Sequence, residues 1–149
     1  MMTSQPSLHQ VDASHRDLAL ALQAELFAAA REAQAAAYCP YSNFAVGAAV
    51  LLSDGTVARG CNVENASYGL TVCAERVAIF NAIADGRMDI AAVACVTSAP
   101  RLCKPCGACR QVIAEFSQAD NPIIVLSACA EEAVAEPITS LLPDTFTLL

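Results

Sequence analysis

From residue 71 to residue 128 the chain alternates helix-forming and strand-forming segments: TVCAERVAIFNAIADG, IAAVACVTS, PCGACRQVIAEFSQ and PIIVLSA. The first reads as a helix that ends at Gly86, a residue suited to the left-handed turn after a helix. The second and fourth are short apolar runs, partly β-branched and bounded by loop residues, the pattern of buried strands. The third reads as a helix with Pro105 just before its start. Upstream, FAVGAAVLLSDGTVARGCNV reads as a hairpin around a Ser-Asp-Gly turn. Strand, helix, strand, helix, strand implies parallel neighbours joined by right-handed crossovers. The expected result is an α/β fold, a mixed sheet with helices on its faces.

The remainder adds little. Leu18, Leu22 and Leu26 recur at helical spacing between Ser14 and Ala37, which predicts an amphipathic helix, and Pro40 blocks its continuation. Residues 1–13 are expected to be a disordered tail, and residues 14–149 one domain. His9 and His15 are read as solvated residues of the tail. Phe27, Phe80 and Phe116 fall on predicted helices as core residues. Glu131, Glu132 and Glu136 read as a solvated acidic run.

Composition narrows the function. The net charge is −7, and eight scattered basic residues make a poor footprint for nucleic acid or an anionic membrane. A small neutral ligand fits better. The apolar fraction is 56%, above the usual level, yet no run reaches the roughly 18 residues of a membrane span. Burial between subunits and a simple abundance of Ala both account for the excess. No secretory signal is visible in MMTSQPSLHQVDASHRD, so a cytoplasmic, reducing location is expected, and the eight cysteines argue against a disulfide framework. Cys39, Cys61, Cys95 and Cys129 read as packing residues.

The remaining thiols carry chemistry. Cys73 stands at the start of one predicted helix, and Cys106 and Cys109 at the start of the next. Both helices begin beyond the carboxyl ends of strands, where α/β folds bind ligands. Helix N-termini carry partial positive charge and favour thiolates. Three thiolates can hold one zinc ion and leave its fourth position to water, the catalytic pattern. Glu75, two residues from Cys73, is within reach of that water as general base and then general acid. Two other readings stay open. Cys103 completes a closed Cys₄ structural site in one, and CGAC acts as a dithiol redox pair in the other.

CAER at 73–76 followed by PCGACRQV at 105–112 resembles the paired signature of cytidine deaminases. The resemblance extends from YCPYSNFAVGAAV at 38–50, through GCNVENASYGLTVCAER at 60–76, to LLPDTF at 141–146. It implies a three-layer α-β-α sandwich around a mixed five-stranded sheet, with one zinc per chain. It also implies zinc-dependent deamination of cytidine and 2′-deoxycytidine to uridine and 2′-deoxyuridine plus ammonia, in pyrimidine salvage. By the same resemblance Cys73, Cys106 and Cys109 are the zinc ligands and Glu75 the proton shuttle. Asn62 and Glu64 match the ribose-binding pair, Phe44 the aromatic beside the base, and the Ala74 N–H a contact to the base. Arg76 matches an arginine hydrogen-bonded to the thiolates. Tyr68 and Phe146 match aromatic residues lent to a neighbouring subunit's site, which implies a homotetramer. An all-cysteine ligand set and NVEN look like the free-nucleoside branch, with blasticidin S deaminases as a competing assignment. Two positions depart from the pattern. Lys104 stands where the family usually has Ser or Thr, near the leaving amino group, and Cys103 is an extra thiol.

Overall fold

The computed structural model describes residues 14–148. The expected tail at 1–13, with His9, lies outside the described residues. Ser14 caps the first helix: its hydroxyl accepts from the Asp17 backbone N–H at 3.1 Å. The Leu18, Leu22, Leu26 stripe is carried by α1 (His15–Ala21) and α2 (Gln23–Gln34). The two run on with a distortion at Leu22, where φ is −106° and ψ 15°. The i to i−4 bonds from Leu22 to Leu18 and from Leu26 to Leu22 are kept at 3.1 and 2.9 Å. His15 is therefore the first residue of a helix and not part of a free tail. Its backbone N–H donates to Asn121 Oδ1 at 2.9 Å.

Strands β1 (Val46–Leu52) and β2 (Val57–Cys61) form the expected hairpin, with Gly55 at φ +87° in its turn. The 3₁₀ turn Tyr68–Leu70 leads to α3 (Ala74–Ala84), β3 (Ile90–Thr97), α4 (Gly107–Glu115), β4 (Ile124–Ala128), β5 (Ala133–Pro137) and α5 (Ile138–Leu141). The sheet order is β2-β1-β3-β4-β5. Among these five strands only β3 and β4 pair in parallel. The expectation that each crossover joins adjacent strands holds for α4 and fails for α3. The second free edge of β1 pairs antiparallel with β3, so β1 lies between β2 and β3. The α3 crossover spans it.

Strand alternation divides the core in two. Ala49 and Leu51 face α1 and α2 together with Ala92, Ala94, Val96, Ile124 and Leu126. Ala48, Val50 and Leu52 face the other way with Val93 and Val125, against Ala78, Ile79, Ile113 and Ile138. The molecule is thus a three-layer α-β-α sandwich. Close packing of the layers depends on glycine at Gly47, where a Cβ would lie 1.9 Å from the Ala30 carbonyl oxygen. Among the aromatic residues expected in the core, Phe27 is buried, but Phe80 is 49% exposed on α3. Of the expected acidic run, Glu131 and Glu132 are exposed, whereas Glu136 is half-buried in the edge strand β5 and paired with Lys104.

Candidate active site

Because β2 and β3 run in the same direction, α3 and α4 begin at the same end of the sheet. Cys73 is the N-cap residue of α3 and Cys106 that of α4, with Cys109 in the first turn of α4. Neither N-cap thiol makes a capping bond to its helix backbone, so both sulfurs can turn toward one another. The sulfurs of Cys73, Cys106 and Cys109 all lie within 4.8 Å of one another. The approach to Cys106 is fixed by buried Pro105. Arg110 fastens that loop, donating from Nε to the Pro105 carbonyl at 2.8 Å and from Nη1 to the Leu141 carbonyl at 2.9 Å.

The donor set fits a zinc ion. Tetrahedral zinc–thiolate bonds of about 2.3 Å hold sulfurs roughly 3.8 Å apart, and Cys73 and Cys106 stand 3.9 Å apart. The Cys73 thiol is lowered to about 5, first by the hydrogen bond from Cys109 and then by those from Arg76 and Cys106. The Cys109 thiol is raised because it donates to Cys73, is desolvated and faces Glu75. Three thiolates and Zn²⁺ would carry a net charge of −1, and Arg76 offsets it. Its Nη2 donates to Cys73 Sγ at 3.4 Å, while its buried Nε has no partner among the described residues. Cys103 is not in the sulfur cluster. Its thiol donates instead to the Arg101 carbonyl at 3.7 Å, which argues against a closed four-cysteine site. The third thiol, Cys73, and the family matches below argue against a simple dithiol pair.

Beside the cluster opens a cavity of about 410 Å³ lined by Ser42, Phe44, Asn62, Glu64, Cys73, Glu75, Cys95, Cys103, Lys104 and Cys106, among others. Glu75, in the first turn of α3, is 5% exposed. Desolvation raises its carboxyl above the ordinary carboxylate range. A group of that kind holds a proton near neutral pH more readily than a surface glutamate does.

The opposite wall is built by the loop before β1. Asn62 Oδ1 accepts from the Val46 N–H at 2.8 Å, and its Nδ2 donates to the Phe44 carbonyl at 2.8 Å. These bonds clip the strand entry that carries Phe44. Glu64 accepts from the backbone N–H groups of Tyr41 (2.9 Å) and Ser42 (3.3 Å) and from the Ser42 hydroxyl. The Ser42 hydroxyl holds the Glu64 carboxyl below its usual range. Ser42 Oγ in turn accepts from the Phe44 N–H at 3.1 Å. Asn43, between them, has φ 54°, a left-handed conformation that asparagine tolerates.

The sequence-derived residues are therefore brought together unequally. Phe44, Asn62, Glu64, Cys73, Glu75 and Cys106 line one cavity. Cys109 and Ala74 are buried behind it. Tyr68 is 77% exposed, with its ring centroid 6.1 Å from that of Tyr41. Phe146, 67% exposed, lines a different surface depression beside α4. Ser42 was not singled out by the sequence reading; the signal for it was its place between Tyr41 and Phe44, in a turn-forming Ser-Asn pair. Cys95, read as packing, is buried and also forms part of the cavity wall.

Comparison with known proteins gives the chain a family. The family model described as the cytidine and deoxycytidylate deaminase zinc-binding region matches residues 21–126. A cytidine deaminase of Halalkalibacterium halodurans is 50% identical over 118 residues, 78% of this chain and 87% of that protein. One from Sporosarcina psychrophila is 45% identical over 125 residues, 83% of this chain and 90% of its own. The crystal structure of cytidine deaminase from Burkholderia pseudomallei superposes with a TM-score of 0.77 at 45% identity, covering 83% of this chain and 98% of that one. Two converging helix starts, three clustered thiols and an adjacent buried glutamate are thus the local form of a match that spans most of the chain, which belongs to the cytidine and deoxycytidylate deaminase family.

Proposed function

We propose that this protein hydrolyses cytidine and 2′-deoxycytidine to uridine and 2′-deoxyuridine with release of ammonia, and so serves pyrimidine nucleoside salvage. The observation that carries the reading is the buried Glu75 carboxyl sharing a cavity with Cys73 and Cys106, with Cys109 completing the cluster. When bound by these three thiolates, zinc supplies Lewis acidity that brings the pKa of a coordinated water to about 7. Glu75 moves the protons. Its carboxylate takes one from the attacking water and delivers it to N3, then takes the second from the hydroxyl newly added at C4 and passes it to the departing amine. Asn62 and Glu64 hold the ribose hydroxyls, Phe44 packs against the base, and the Ala74 N–H contacts the base from the start of α3. Arg76 neutralises the excess charge of the thiolates.

The reading extends to assembly and setting. The exposed rings of Tyr68 and Phe146 support a homotetramer in which each chain completes a neighbour's site. Residues 14–149 act as one catalytic domain. Eight free cysteines support a reducing, cytoplasmic setting, and no helix among the described residues is long and apolar enough to cross a membrane. The charge of −7 favours a free nucleoside over nucleic acid.

Absorbance loss on incubation with cytidine, deoxycytidine, CMP and blasticidin S tests the substrate. The two nucleosides should be turned over and CMP rejected; turnover of blasticidin S alone would replace this assignment. Sedimentation should give one species of about four chains that loses activity on dissociation. A fully active monomer would end the idea of shared sites.

A further inference from the structure

The loop between β3 and α4 carries Cys103, Lys104 and Cys106 on the wall of the cavity that also holds Glu75. Among the described residues, Lys104 is the one cationic side chain lining that cavity. Its ammonium is not directed to the carboxylates lining it. Nζ lies 2.6 Å from Glu136 Oε2 and 2.8 Å from Oε1, so both oxygens engage it. Glu136 lies on β5, the edge of the sheet, and does not line the cavity. The two side chains are 37% and 31% exposed, so a pair of this kind adds little to stability. Its effect is on where the charge sits. Without Glu136, a flexible four-carbon ammonium would share the cavity with the carboxyl groups that line it, Glu75 and Glu64, and with the cysteines Cys73 and Cys106.

We infer that Glu136 is a positioning residue that holds the Lys104 ammonium out of the cavity. This rests on the deaminase reading. In that reaction an amine gains a proton as it leaves, so positive charge develops beside Glu75. A free ammonium there would occupy the Glu75 carboxylate and repel the departing group. The bound nucleoside is neutral, so the penalty falls on the chemical step more than on binding. The edge strand β5 thereby sets the electrostatics of a site to which it contributes no lining residue.

The test is a double-variant cycle with cytidine as substrate, using zinc-loaded full-length protein. Glu136→Gln keeps the shape of the side chain and loses the charge. It should lower kcat about tenfold, with KM, zinc content and Tm near those of the parent. Added salt should narrow the loss. In the Lys104→Ser background, which sets its own baseline, adding Glu136→Gln should cost nothing further, because the charge to be held is gone. An equal loss in both backgrounds would mean that Glu136 acts through the strand and not through Lys104, and would overturn the inference. So would an unchanged kcat in Glu136→Gln. Parent protein with full zinc and no cytidine turnover would overturn the deaminase reading, and this inference with it.

Discussion

Gly60 connects the packing of the sheet to the position of the zinc ligands, and replacing it with alanine tests that connection. Gly60 lies in β2 opposite Ala48 of β1. A Cβ at this position would stand 2.3 Å from the Ala78 nitrogen, 2.7 Å from the Ala74 carbonyl oxygen and 2.9 Å from the Ala78 Cα. All three are backbone atoms of α3, so no rotamer change relieves the contact. Ordinary van der Waals separation begins near 3.4 Å, so α3 must retreat from the sheet by about 1 Å. Cys73 and Glu75 move with α3. Cys106 and Cys109, on α4, do not.

Overpacking of this kind costs about 1–3 kcal/mol. At about 2–4 °C per kcal/mol for a chain of this size, Gly60→Ala should lower Tm by roughly 2–12 °C. Displacing Glu75 from the reacting atoms by about 1 Å should lower kcat/KM by a factor on the order of 10². Zinc should be lost to a chelator at lower concentration than from the parent, since one of three ligands has shifted. Thermal unfolding, chelator titration and cytidine turnover measure the three effects. Gly69→Ala is the control for stability, because a Cβ there meets nothing within 4 Å. Parent-like Tm, zinc retention and turnover in Gly60→Ala would refute the claim that this close approach holds the site together.

Glu75→Gln should retain one zinc per chain and lose about 10²–10⁴-fold or more in kcat, because Gln keeps the shape and cannot shuttle protons; zinc loss or near-normal turnover would contradict the assigned role. Cys103→Ser should keep its zinc and nearly full activity. Cys106→Ser and Cys109→Ser should release zinc, abolish activity and lower stability; metal analysis showing Cys103→Ser as zinc-poor as Cys106→Ser would restore the closed site. The Arg87 cluster gives a pH dependence. The Asp89 carboxyl is lowered first by its hydrogen bond from Arg87, and the Asp54 carboxyl first by that from Thr56, both from an ordinary 3.8. Folded carboxyls that bind protons less readily contribute stability above the unfolded value and lose it as pH falls through the lowered one. Asp54→Asn with Asp89→Asn should therefore flatten the loss of Tm below about pH 4; an unchanged acid limb would show that these carboxyls do not contribute to it.

The parts of the molecule legible in its sequence are those set by local rules. Cys73 with Glu75, and Cys106 with Cys109, occupy single helical turns, so their mutual geometry follows once each segment is helical. That the two turns meet follows from strand direction, because helices that leave parallel strands start at one end of the sheet. Strand adjacency is a different kind of fact. Both faces of β1 are apolar and neither edge is blocked by proline or charge, and nothing in VGAAVLL distinguishes pairing with β3 from lying at an edge. The insertion of β1 between β2 and β3 is decided by pairing across the sheet. Strand β5 was hidden for another reason. AVAEP follows two glutamates, ends in proline and is partly exposed throughout, as expected of an edge strand and equally of a loop.

The polar pair in NVEN is where the two kinds of information meet. The resemblance gives Asn62 and Glu64 to the ribose, yet the fold already uses both on its own backbone. Hydrogen-bond valence lets the two uses coexist. The Asn62 amide spends one N–H on the Phe44 carbonyl and one lone pair on the Val46 N–H, and keeps a second of each. Glu64 accepts two bonds at Oε2 and one at Oε1, which leaves Oε1 a further lone pair. These bonds hold Phe44 and the left-handed turn at Asn43 in position before any ligand arrives, so little ordering entropy remains to be lost on binding. Replacement of either residue would therefore remove a ligand contact and loosen the aromatic wall together, and a single variant could not apportion the loss between them. Ser42, which joins Glu64 to the Phe44 N–H without being assigned to the ribose, is the position at which the loop's order can be changed on its own.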